Sequence, residues 1–136
     1  MPVLAGASAP PAHAELQISI DGLRNAKGSI MLCLTRRAEQ NFLTCAQDPA
    51  RIARTVAAGE ARWIEIGDLP PGEYSLLVIH DENRNGKLDK SFGIPREGFG
   101  FSRNPAIRVG PPRYADVHFA VPTGHSAQAI KLKYLL

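Results

Sequence analysis

Long apolar runs, blocks of one charge and cysteine clusters are all missing from this sequence, as are the short motifs behind most catalytic chemistry. No stretch approaches the roughly eighteen apolar residues that a bilayer-spanning helix needs. Sixteen Lys and Arg stand against thirteen Asp and Glu, and the bases are scattered (Arg24, Lys27, Arg36, Arg37, Arg51, Arg54, Arg62, Arg84). Tracking a phosphate backbone takes clustered bases with interleaved aromatics, so nucleic acid is not an expected partner. The two cysteines, Cys33 and Cys45, have no second Cys or His at zinc-ligand spacing, which argues against a thiolate metal site. GxSxG, HExxH, P-loop and paired-Glu patterns do not occur, so the sequence leans away from an enzyme.

What is present fits one domain, since 136 residues bury enough surface for a core without metal support. Residues 1–14, MPVLAGASAPPAHA, carry no Asp, Glu, Lys or Arg, and they end in the small-x-small form that signal peptidase accepts. They read as the closing part of a signal peptide or as a leader. Residues 15–136 then form the domain, placed in the periplasm or secreted. In that setting Cys33 and Cys45 would most simply close a disulfide, worth about 3 kcal/mol for so short a loop. In a reducing compartment they would be two buried thiols.

The hydropathy has period two. Leu16, Ile18 and Ile20 alternate with polar residues, and Ser29–Thr35 is a more continuous apolar run; a first hairpin between the two is expected. Residues 46–61 are ambiguous. Asp48-Pro49 can cap a helix and Ile52 and Val56 stand four apart, yet the same residues alternate, which favours one helical turn running into an edge strand. ARWIEIGDL, YSLLVI, YADVHFAV (Tyr114–Val121) and AQAIKLKYL read as further strands, with YSLLVI central. From Lys90 to Arg113 the pattern dissolves into glycine and proline, which marks a long loop with work to do. About seven short strands and almost no helix imply an all-β, antiparallel Greek-key β-sandwich, prealbumin-like or immunoglobulin-like, with one long Gly/Pro-rich loop.

The stretch HDENRNGKLD leaves the central strand at His80. Counted from Asp81, oxygen-bearing side chains fall at positions 1, 3, 5 and 9 with glycine at 6, the order in which an EF-hand loop wraps a hard cation. Asp81, Asn83, Asn85 and Asp89 are the expected Ca2+ ligands, joined by the Lys87 backbone carbonyl. Position 12 is Phe92 instead of a bidentate Glu, so a true EF-hand is excluded; Glu82, Glu97 or His80 are additional metal or rim candidates. Affinity should lie near roughly 0.1 to 1 mM. At about 1 mM calcium this adds on the order of 0.4 to 1.4 kcal/mol. The competing reading is a type I′ hairpin turn at Asn85-Gly86 with solvated acids.

Taken together, HDENRNGKLD, the following GIPREGFGFS and the upstream LPPGEY resemble the bacterial family catalogued as domain of unknown function 2141. The resemblance implies a small exported protein carrying these motifs between Leu69 and Ser102. LPPGEY is also similar to prealbumin-like and carboxypeptidase-regulatory-like sandwiches. Transthyretin-like hydrolases end in Tyr-Arg-Gly-Ser and this chain ends Lys-Tyr-Leu-Leu, so the resemblance brings no activity. The expected function is a non-enzymatic, calcium-stabilised module that binds an unknown protein or small molecule through Phe92, Phe99 and Phe101. The alternatives are a hydrolase or lyase using His80, Asp81 and Glu97, and a carrier holding small apolar ligands between its sheets.

Overall fold

A computed structural model describes residues 13–37, 42–91, 94–107, 110 and 112–136. In chain order the elements are β1 (Ala14–Asp21), β2 (Ser29–Thr35), β3 (Ile52–Ala57), β4 (Trp63–Leu69), β5 (Gly72–Asp81), β6 (Lys90–Ser91), β7 (Ile94–Pro95), β8 (Gly98–Phe101), a single helical turn α1 (Tyr114–Val117), β9 (Phe119–Val121) and β10 (Gly124–Lys131). Short 3-10 turns occupy Phe42–Gln47 and Ala58–Glu60. β1 begins at Ala14, one residue ahead of the expected start of the domain.

One sheet has the order β10-β1-β4; the other is β3-β2-β5-β8, with β9 also on β5, and β6 and β7 form a separate ribbon. The chain changes sheets between β1 and β2, β3 and β4, β4 and β5, and β9 and β10, which makes the expected sandwich. Its pairings are antiparallel except β1 with β10. Alternation explains the layering. Ala14, Leu16, Ile18 and Ile20 of β1 face Ile30, Leu32 and Leu34 of β2 and Tyr74, Leu76 and Val78 of β5 in one buried core. For that reason β1 and β2 do not form the expected hairpin. Each has one apolar face, and Gly22, at φ +84°, helps turn the chain across to the facing sheet.

Three further expectations change. Ile52 and Val56 lie in the edge strand that their alternation favours, β3, but the helical turn comes before Asp48, at Phe42–Gln47. A spacing of four is also an even number, so it satisfies strand alternation as well as a helix. Tyr114–Val121 is not one strand but α1 followed by β9.

Finally, the glycine-rich loop contains a strand. Gly98 and Gly100 of β8 turn toward the C-terminal segment, where a Cβ on Gly98 would collide with the Tyr134 ring and one on Gly100 with Ile130. Phe99 and Phe101 face the other way and pack with Leu77, Ile107, Tyr114 and Val117 in a second core. At 5 % and 6 % exposure these two rings are packing residues and not the partner contacts expected of them. Phe92 lies outside the described residues.

Candidate functional site: a hydrogen-bonded rim at the end of β5

His80 continues the inward face of β5 and is fully buried. Its Nε2 lies 2.6 Å from the Lys27 carbonyl, which can only accept, so Nε2 carries the proton. Nδ1 therefore accepts from the Tyr134 hydroxyl at 2.7 Å. Burial pushes the Tyr134 phenol up, which keeps that donor protonated. The hydroxyl also accepts from the Arg24 backbone amide at 3.3 Å, and the Arg24 guanidinium sits 4.5 Å from the centre of the ring. His80 is thus a structural clasp between β5, the turn before β2 and the C-terminal segment.

Asp81, buried, accepts from the amides of Asn85 at 3.1 Å and Gly86 at 2.7 Å and closes the turn on itself. Arg84 and Gly86 take left-handed conformations within it. Asn83 and Asn85 donate their side-chain amides to Asp89 at 2.7 and 2.6 Å. Those bonds, Asn85 first, hold the Asp89 carboxyl below its usual range. Lys87 is exposed, and its N–H donates to the Asn85 side-chain oxygen.

Glu97, also buried, accepts from the amides of Glu82 at 2.7 Å and Asp89 at 3.2 Å, so it staples both ends of the turn to β8. Glu82 turns away to Arg24, with Nη2–Oε1 at 2.5 Å and Nε–Oε2 at 3.3 Å, and also accepts from Asn25. The Arg24 contact is the main reason its carboxyl is held low.

The structure therefore brings Asp81, Asn83, Asn85 and Asp89 together, and it does not assemble the catalytic rim of the alternative reading. Neither partner of His80 is an acid, and the carboxylate oxygens of Asp81 and Glu97 are taken by backbone amides. Among the described residues no cluster of three or more His, Cys, Asp or Glu could hold a metal. The oxygen-bearing side chains gathered in the turn are two aspartates and two asparagines. Sequence reasoning missed Arg24, Asn25, Lys27 and Tyr134. Only Tyr134 left a signal, as an even-numbered continuation of the inward series Ile130, Leu132.

At the other end of β2 the expected Cys33–Cys45 disulfide is present. Beyond it Asp48, buried, accepts from the Thr35 hydroxyl at 2.6 Å and the Ala50 amide at 2.9 Å. The Thr35 bond is the first cause of its lowered pKa.

Fold and rim together define a disulfide-bonded β-sandwich with an internally hydrogen-bonded turn at one end. The chain belongs to the family described as uncharacterized protein conserved in bacteria (DUF2141), which matches residues 18–130. No curated protein matches. Among solved structures the chain is similar to a pilus-presented adhesin, Spy0125 (Cpa), at 15% identity and a TM-score of 0.39; the match covers 92% of this chain and 27% of that one.

Proposed function

We propose that this domain is an exported, non-enzymatic binding module whose rim, from His80 to Glu97, is its working end and is held in shape by Ca2+. One observation carries the reading. The oxygen-bearing side chains of Asp81, Asn83, Asn85 and Asp89, spaced as in a calcium loop, converge within one turn and are linked through Asp89 and the Asn85 amide. A hard cation there would take oxygen from Asp81 and Asp89 and, once the Asn83 and Asn85 side chains rotate out of their bonds to the Asn85 and Lys87 amides, carbonyl oxygen from both asparagines. The disulfide supports export, because such bonds persist in oxidising compartments.

The hydrolase or lyase reading has little support, since a base or nucleophile needs a lone pair within reach of substrate, and that reading rests on an acidic neighbour of His80. His80 has neither. Thermal melting separates the cases: about 10 mM Ca2+ should raise Tm by roughly 4 °C or more over chelator. The rise should vanish in Asp89→Ala. An unchanged Tm in the parent protein would sink the calcium reading.

A further inference from the structure

The outward side chains of the β10-β1-β4 sheet face solvent, and the register sets them in rows. Ala127, Gln17 and Glu65 stand abreast in one row, and Ala129, Ser19 and Trp63 in the next. Rows on one face are roughly 7 Å apart and neighbouring strands roughly 5 Å, so these side chains form one small plate. Trp63, the only tryptophan of the chain, is 56 % exposed. A single exposed apolar side chain needs no explanation by itself; its setting is what points to a ligand.

Charges frame the two rows and meet one another there. Glu15 and His125, partners in the register, approach to 3.2 Å at one end, and Asp21 and Arg62 to 3.9 Å at the other. Arg62 also lies against one side of the Trp63 ring, 5.4 Å from its centre. Between these ends the side chains of Gln17 and Glu65 make no hydrogen bond or ion pair among the described residues. With Glu15, His125 and Ala127 they line a cleft of about 350 Å³. Clefts that take small ligands run from roughly 300 to 1,000 Å³.

An aromatic ring beside an unpaired amide and an unpaired carboxylate, on a floor of small residues, matches the two sides of a sugar ring. The C–H groups on its face complement the negative face of an indole, and its hydroxyls donate to a carboxylate and exchange bonds with an amide. An anionic ligand would meet Glu65 with no cation in either row. A protein partner would find only Trp63 and two alanines for the apolar centre of an interface. We propose that this face binds a neutral β-1,4-linked oligosaccharide, with one ring on Trp63 and the next over Gln17 and Glu65. Such a chain extends as a flat ribbon, and Ala127 and Ala129 leave the sheet flat enough to receive it. The face lies on the sheet opposite β5 and shares no residue with the rim.

Trp63 reports on its own site, because no other tryptophan emits. Titrating the full chain with cellohexaose or chitohexaose should shift the emission to the blue and saturate, and the sugar that does so tells plain hexose from N-acetylhexosamine. Gln17→Ala and Glu65→Ala should each weaken the apparent affinity roughly tenfold. Trp63→Ala should abolish the heat of binding in calorimetry while keeping its melting temperature. Arg54→Gln, on β3 in the other sheet, should bind as the parent does. The absence of a saturable shift with either sugar would overturn the proposal, as would undiminished binding by Trp63→Ala or tighter binding of polygalacturonate, an anionic chain. A dimer that Trp63→Ala dissolves in analytical sedimentation would assign the face to a second copy of the chain instead.

Discussion

Strands β2 and β5 run side by side, and their two ends are closed by different chemistry. At the Thr35 end a covalent bond, Cys33–Cys45, ties β2 to the 3-10 turn that follows, and a buried Asp48 finishes the corner. At the Asp81 end no covalent bond is present among the described residues. Two buried carboxylates, Asp81 and Glu97, receive four backbone amides, and His80 clasps Lys27 and Tyr134. A disulfide is indifferent to protonation and to cations, whereas a carboxylate acceptor responds to both. Asp48 gives the disulfide end one such acceptor, whereas the rim is closed by several and by no covalent bond among the described residues.

The widest test of that contrast sets Glu97→Ala against the Cys33→Ser/Cys45→Ser double variant. Removing Glu97 takes the acceptor from two amides, at about 1 to 3 kcal/mol each, so a loss of about 4 kcal/mol is expected. The disulfide variant should lose about 3 kcal/mol through a freer unfolded chain. Urea unfolding at neutral pH measures both. If the disulfide variant lost clearly more, the covalent end would be the principal closure and the rim an ornament to it.

Acid should weaken both ends, by unequal amounts. Asp48, Glu82 and Asp89 all have folded pKa values below their ordinary ones, so the unfolded chain takes up protons first as pH falls. Their contribution is complete above about pH 5, where carboxyls of either state are ionised, and it is lost as pH drops through the depressed folded values. Two of the three lie at the rim. Asp89→Asn with Glu82→Gln should therefore flatten the change in urea midpoint between pH 6 and pH 3 more than Asp48→Asn does. Equal flattening would mean that charge matters alike at both ends.

Much of this arrangement could be read in the sequence, and the reason differs by region. The strands were legible because period two in Leu16, Ile18 and Ile20 reports one buried face directly, and because the near-continuous apolar run of YSLLVI suits a central strand covered on both faces. The turn was legible because Asp81, Asn83, Asn85 and Gly86 satisfy one another over short separations. Pairing was not, since which strand meets which depends on two apolar faces finding each other, and alternation is silent on that. β8 was hidden because Gly98 and Gly100 look like loop residues until Tyr134 and Ile130 are seen to need the space. Glu97 offered no spacing rule, for its role comes from amides at Glu82 and Asp89. The clasp joins residues far apart in the chain, and only Tyr134, continuing the inward series Ile130, Leu132, has a local signature; Arg24 has none.

That clasp supplies the smallest expected effect and the finest distinction. Arg24 pairs with Glu82, lies over the Tyr134 ring and donates to the Arg96 carbonyl at 3.0 Å. Its side chain is partly solvated, so screening discounts the ion pair and Arg24→Ala should cost only about 1 kcal/mol. Tyr134→Phe keeps the ring beneath the cation but leaves His80 Nδ1 without a donor, for about 1 to 2 kcal/mol. If the rim is one network, the double variant will depart from the sum of the singles by about 0.5 kcal/mol or more, because loss of the Tyr134 hydroxyl also loosens the Arg24 backbone. Strict additivity would show instead that the rim is a set of independent clasps. Under the calcium reading, the ion would then tighten the turn around Asp81 and Asp89 without being felt at His80.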